Sequence, residues 1–226
     1  MKLAKLITVA TIAIVACSAF AQGGQRRGFG MNNGDPITLL GREDVQKDLA
    51  LSDDTKAKVV DLKEKSDAKR QESMQAARDA ANGDFAEMRK AMGPIIEKLT
   101  AENWKAVADV LSADQLKRLK EIKVQMVGLS GLVNDKDLQK EVGVTDDQKA
   151  KLKDLQDRQQ KAQMELFQKA QSGEIDRSEM PAILKKNTKI MEDEVTKILT
   201  DAQKTKLTEM GGKHFERVDP APGGGF

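Results

Sequence analysis

Four short, related stretches constrain this chain more than anything else in it. They are Leu51-Ser52-Asp53-Asp54-Thr55, Leu111-Ser112-Ala113-Asp114-Gln115, Val144-Thr145-Asp146-Asp147-Gln148 and Leu199-Thr200-Asp201-Ala202-Gln203. Each precedes a charged amphipathic segment, so each reads as a helix start. The Ser52, Ser112, Thr145 or Thr200 hydroxyl accepts from an orphan backbone N–H of the first turn. Gln115, Gln148 and Gln203, three positions on, reach back to the cap's own N–H. Asp in the first turn suits the positive end of the helix dipole. Leu51, Leu111, Val144 and Leu199 put an apolar residue before each cap. Only Leu111 has an apolar staple partner, Leu116. Thr55 stands where the first box has lost its Gln.

Spacing makes the boxes a sign of duplication. Sliding the chain by 93 residues sets 43–65 against 136–158, and ten of those 23 pairs are identical, Asp44/Asp137, Gln46/Gln139 and Leu62/Leu155 among them. Further on the offset falls to 88, where Val107, Leu111, Gln115, Leu119 and Glu121 meet Val195, Leu199, Gln203, Leu207 and Glu209. The expectation is an all-α fold: two tandem copies of a long antiparallel helical hairpin with short flanking helices, pseudo-dimeric within one chain. The copies span 43–127 and 136–210. Residues 22–42 read as a flexible linker rich in Gly, Asn and Gln, 128–135 as a linker between copies, and 211–226 as a disordered tail.

Within the first copy a short helix covers 43–49. A long helix then runs to about Ala81 and breaks at Asn82-Gly83. Its middle, 63–73, has Ala68 as its one apolar residue, which predicts a weakly buried stretch or an exposed arm. The matched second-copy positions Leu152, Leu155, Gln159, Ala162 and Leu166 form a coiled-coil-like seam. The returning helix of the first copy carries Phe85, Met88, Met92, Ile95 and Leu99, with a kink or restart expected at Gly93-Pro94. Its counterpart carries Met180, Ile183, Leu184, Asn187, Ile190, Met191, Val195 and Ile198. Trp104 lies off the clean stripe and reads either as a satellite core anchor or as an exposed contact.

The first 21 residues have the marks of an export signal: Lys2 and Lys5, then the apolar run 6–16, then Ala19-Phe20-Ala21 before Gln22. The run is too short to span a bilayer. Ile14-Val15-Ala16-Cys17 also fits a lipoprotein box, in which Cys17 carries a lipid anchor. Cys17 is the only cysteine, so cleavage after Ala21 leaves no disulfide and no thiolate ligand.

Charge excludes other classes. Setting aside Lys2 and Lys5 leaves 36 basic residues against 36 acidic ones, which is not the basic footprint of a nucleic-acid binder. Aromatics make up 3% and Tyr is absent, so platforms for stacking bases are missing. Arg26-Arg27 offer two charges to an anionic lipid surface, which is weak binding. His214 is the single histidine, without the company that a triad or a zinc site needs. Met88 and Met92, one turn apart, suit a soft metal such as Cu(I), and equally a core stripe. The sequence carries no catalytic constellation, no cofactor motif and no metal-ligand cluster.

Exported, helical, Met-containing and marked by paired boxes, the chain resembles the LTxxQ proteins of the bacterial envelope, which include the Spy and CpxP chaperones. Leu199 to Gln203 is the best match. Val144 to Gln148 has Val for Leu, Leu111 to Gln115 has Ser for Thr, and Leu51 to Thr55 departs most. The resemblance covers roughly 43–210. It implies a periplasmic, ATP-independent, non-enzymatic protein that holds unfolded or partly folded envelope proteins on a concave face, with two boxes per protomer. Two departures stand out: the family cradle tends to be basic and this chain is neutral, and metal-responsive relatives use several His where this chain has one. A metal-responsive sensor or scavenger, and a scaffold for one dedicated envelope partner, are the alternatives.

Overall fold

The computed structural model describes residues 34–218. The export signal, Cys17, Gln22, Arg26-Arg27 and the tail 219–226 lie outside the described residues. The described fold is all-α. Its helices are α1 (Pro36–Leu40), α2 (Glu43–Asp48), α3 (Asp53–Ala81), α4 (Phe85–Ala108), α5 (Ala113–Asn134), α6 (Lys136–Val142), α7 (Asp146–Gln171), α8 (Met180–Ile198) and α9 (Asp201–Met210). Among the described residues no helix is long and apolar enough to cross a membrane.

α3, α5, α7 and α9 start at the boxes, and α4 and α8 are the returning helices that pack on α3 and α7. α3 ends at Asn82, whose φ of 45° is left-handed, and Gly83 follows at 86°. Both conformations suit Asn and Gly in a reversing turn. α4 then runs antiparallel to α3, as Lys69–Glu102 (3.1 Å) and Ser66–Asn103 (3.0 Å) show. α7 and α8 pair the same way, with Arg158 on Glu194 at 2.9 Å. α4 passes through Gly93-Pro94 as one helix, so the expected restart does not occur there.

Two apolar clusters hold the helices. The first gathers Leu40, Val45, Val59, Val107, Leu119 and Ile122, and the second Leu132, Leu138, Leu152, Leu155, Met191 and Val195. The first also takes Ile37 and Leu39 at one end of the chain and Phe215 at the other.

Three boundaries differ from the sequence expectation, each because apolar residues in a stretch read as loop are buried. Of the stretch 22–42, read as a linker, the residues from Asp35 on are folded. Asp35 caps α1 by accepting from the Thr38 N–H at 2.9 Å, and Pro36, Ile37, Leu39 and Leu40 are buried. The linker 128–135 is helical: α5 continues past a break at Gly128 (φ 54°, ψ −152°) and buries Leu132 and Val133. The tail 211–226 is ordered at least to Val218, with Phe215 5% exposed.

Gln46 Nε2 donates to the Leu40 carbonyl, and Gln139 Nε2 to that of Leu132, both at 2.6 Å. Gly128 breaks α5 ahead of Leu132 and Val133, which join the second cluster. The ends also cross over. Val124 is buried in the second cluster and Val127 packs against it. Phe215, 88 residues after Val127, is buried in the first.

The middle of α3 is not an arm. Ser66 is 7% exposed and Asn103 of α4 is 6% exposed. Asn103 Nδ2 donates to Ser66 Oγ at 3.0 Å and to Asp35 Oδ2 at 2.7 Å. A polar triad fills the seam where the sequence lacks apolar residues, and mutual hydrogen bonding makes its burial tolerable. Trp104 is half-buried against the first cluster, with Lys123 Nζ 5.4 Å from its ring centroid.

Candidate functional site

All four boxes cap helices. Ser52, Ser112, Thr145 and Thr200 have extended backbone, and their hydroxyls accept from the N–H three residues on, at 3.2–3.3 Å. Gln115, Gln148 and Gln203 complete reciprocal boxes through 3.0 Å bonds from the N–H of Ser112, Thr145 and Thr200. Thr55 makes no such return; its hydroxyl sits 2.9 Å from Ser52 Oγ. The preceding residues Leu51, Leu111, Val144 and Leu199 are all buried.

The glutamines do more than cap. Gln148 Nε2 donates to Gln203 Oε1, and Gln203 Nε2 to Gln148 Oε1, both at 2.8 Å. Each amide also reaches across to the other box's approach: Gln148 to the Ile198 carbonyl and Gln203 to that of Gly143, again 2.8 Å. Both side chains are 8% exposed. The two second-copy boxes thus close on each other about a local two-fold relation, with every amide atom satisfied. In the first copy half of this is missing. Gln115 Nε2 donates to the Leu49 carbonyl at 3.1 Å, and Thr55 is too short to meet it. Sequence reading found the caps and missed the pairing. The readable sign was the loss of one Gln of a pair.

Away from the boxes, the α7–α8 seam opens. Leu152, Leu155 and Leu166 are buried as the seam predicts, but Gln159 is half-buried and Ala162 exposed. A cleft of about 150 Å³ lies there. Leu155, Ala162, Leu184 and Met191 supply apolar lining, Gln159, Gln163 and Asn187 the amides, and Ile190 one edge. Polar Gln159 and Asn187 at seam positions cannot pack as Leu would, so the helices do not close. Those three side-chain amides have no hydrogen-bond partner among the described residues. Ile190 is 49% exposed, and Met164 and Phe167, on α7, are 41% and 51% exposed. These are three of the five large apolar side chains left open among the described residues, and they share one hairpin. The rim is ionic: Arg158 bonds Glu194, and Asp154 at 3.1 Å. Those contacts, Glu194 first, push the guanidinium pKa up.

The other candidates are placed as follows. Met88 and Met92 are half-buried on α4, and His214 is exposed. Among the described residues no three His, Cys, Asp or Glu side chains gather closely enough to hold a metal ion. Comparisons with protein-family models, with curated proteins and with solved structures find no match to this chain.

Proposed function

We propose that the chain is an exported, non-catalytic binding protein of the Spy/CpxP kind, one that holds unfolded or partly folded envelope proteins without nucleotide. The observation that carries the reading is the open α7–α8 hairpin. An apolar cleft lined with three unpartnered amides, beside exposed Met164, Phe167 and Ile190, offers an unfolded chain both kinds of contact it needs. Apolar side chains of the client cover Leu184 and Ile190, and its unpaired backbone groups meet Gln159, Gln163 and Asn187. Met adapts to different shapes, which favours many weak clients over one tight one.

In this reading the boxes are stability elements. They lock one end of the second hairpin so that the other end can stay open without the helices separating. The two fused copies take the place of two protomers, so a helical monomer at micromolar concentration is expected in sedimentation. Export after Ala21 gives a mature chain beginning at Gln22, which intact mass of the secreted protein tests. The functional test is aggregation of a denatured model protein with no nucleotide present. Suppression near stoichiometric ratio supports the proposal; none at several-fold excess of folded protein overturns it.

A further inference from the structure

We infer that the α7–α8 cleft reads backbone carbonyls, and that its occupant is an extended, uncharged segment of a client chain rather than a helix or a second copy of this protein. The inference rests on the binding-protein reading for its site, and adds the conformation and charge of what is held there.

The distribution of amide hydrogen bonds carries it. Outside the cleft, every buried or half-buried Asn or Gln among the described residues donates within the chain. Gln46, Gln115, Gln125, Gln139, Gln148 and Gln203 each donate to a backbone carbonyl. Asn103 and Gln156 donate to side chains. Gln159, Gln163 and Asn187 are half-buried too, yet have no such partner, and all three line one cleft. Sheltered polar groups are normally bonded. In this fold a sheltered amide takes a carbonyl more often than anything else, so the matching occupant is one that brings carbonyls of its own.

Spacing selects the conformation. Gln159 and Gln163 stand one turn apart on α7, about 6 Å along its axis. Groups on one edge of an extended chain recur every second residue, about 6.7 Å apart, a mismatch that two flexible Gln side chains absorb. Asn187, on the α8 wall, is placed for the other edge. Alternate side chains of such a segment point into the cleft, where Leu184 lies. An α-helix has its carbonyls bonded internally except in its last turn. Docked here, it would cover three amides and offer them nothing, which is destabilising. Charge narrows the class further. Arg158 and Glu194, the charged residues of the lining, are bonded to each other at 2.9 Å. An inward Lys or Asp of the occupant would therefore be desolvated without a partner. Size disfavours a second copy. Met164, Phe167 and Ile190 expose only part of their surface, a few hundred Å² together, against about 800 Å² per partner in a stable interface.

The test is fluorescence anisotropy with end-capped, neutrally labelled peptides titrated into the full chain. The first probe is a short peptide alternating Thr and Val, which favour extended backbone. Its ester analogues replace alternate amide links, in either register. They keep the side chains but weaken the carbonyl acceptors and remove N–H donors. The poorer register should bind about tenfold more weakly than the all-amide peptide. A lactam-bridged helical peptide with the same number of Val residues should bind about tenfold more weakly as well, and so should a peptide with Lys at the central Val. Affinity for the uncharged peptide should not change with salt. A chain with Gln159→Met and Gln163→Met, similar in size but without the amides, should lose most of the preference for amide over ester. Circular dichroism checks that it is folded. Equal affinity for the amide and ester peptides, tighter binding of the helical one, or no binding of the first peptide by the folded parent chain overturns the inference. So does a dimer in sedimentation that the peptide dissociates, because the cleft would then hold a second copy. Aggregation suppression with no preference among the peptides keeps the chaperone reading and removes this one. Preference without suppression does the reverse.

Discussion

Replacing Gln203 by Ala should cost far more than replacing its first-copy counterpart Gln115. The Gln203 amide makes four bonds: from the Thr200 N–H, to the Gly143 carbonyl, and two with Gln148. Each such bond contributes about 0.5–1.5 kcal/mol net, and a buried partner left unsatisfied costs about 1–3 kcal/mol. The Thr200 N–H and the Gly143 carbonyl lie near solvent and can turn to water, whereas Gln148 is buried and loses half its partners. The expected loss is about 3 kcal/mol, or about 6–12 °C in a chain of this size. Gln115→Ala loses two bonds at a half-exposed site and should cost about 1 kcal/mol. Urea unfolding followed by circular dichroism measures both. The pair Gln148→Leu with Gln203→Leu should be less harmful than the sum of the single changes, since apolar replacement of both partners strands neither. Equal costs for Gln203→Ala and Gln115→Ala, or strict additivity of the Leu pair, would refute the claim that the boxes act on each other.

Other outcomes follow from the same geometry. Thr145→Ala and Thr200→Ala each remove a cap oxygen and should lower stability by about 0.5–2 kcal/mol in thermal unfolding. Thr55→Gln supplies the missing box partner and places an amide within reach of Gln115, so the melting temperature should hold or rise. Gly128→Ala should destabilise measurably in the same assay, because φ 54° with ψ −152° is a conformation that Gly alone adopts at little cost. Acid should release the 211–218 segment. Burial raises the Asp44 pKa, but Arg42 and the Val218 N–H outweigh it, and Arg118 lowers that of Asp48. Carboxyls depressed in the folded state stabilise it above the unfolded value of about 3.9, and that contribution is lost as pH falls through the folded values. Hydrogen exchange at Phe215 and Val218 should therefore quicken below about pH 4, near that unfolded value, before global unfolding.

The four boxed helix starts, and Leu152, Leu155 and Leu166 of the second-copy seam, were legible in the sequence because they depend on neighbours within one or two turns. Ser112 with Gln115 is readable from spacing alone. What escaped depends on contacts between distant segments. Leu39 and Leu40 sit in a short Gly-flanked stretch that shows no periodicity. Ser66 looks like a solvated position until Asn103 and Asp35 meet it. Leu132 and Val133 follow Gly128, which reads as a linker and is instead a break inside one continued helix. Phe215 lies five residues beyond the last helix, and only the first-copy core shows why it is apolar. Of the candidate site, Leu155, Leu184, Ile190 and Met191 were legible as apolar positions at helical spacing. The cleft was not, because it arises where Gln159 on one helix faces Asn187 on another.

The measurement closest to the central claim is aggregation suppression by a Phe167→Asp, Ile190→Asp chain beside a Val60→Asp control. Val60 is 55% exposed on α3, away from the open hairpin. Covering two half-exposed apolar side chains on binding is worth about 1–2 kcal/mol, so the double variant should need roughly tenfold more protein for the same suppression. The control should match the parent. Equal suppression by all three chains, each shown folded by circular dichroism, would contradict the assignment of client binding to the α7–α8 hairpin.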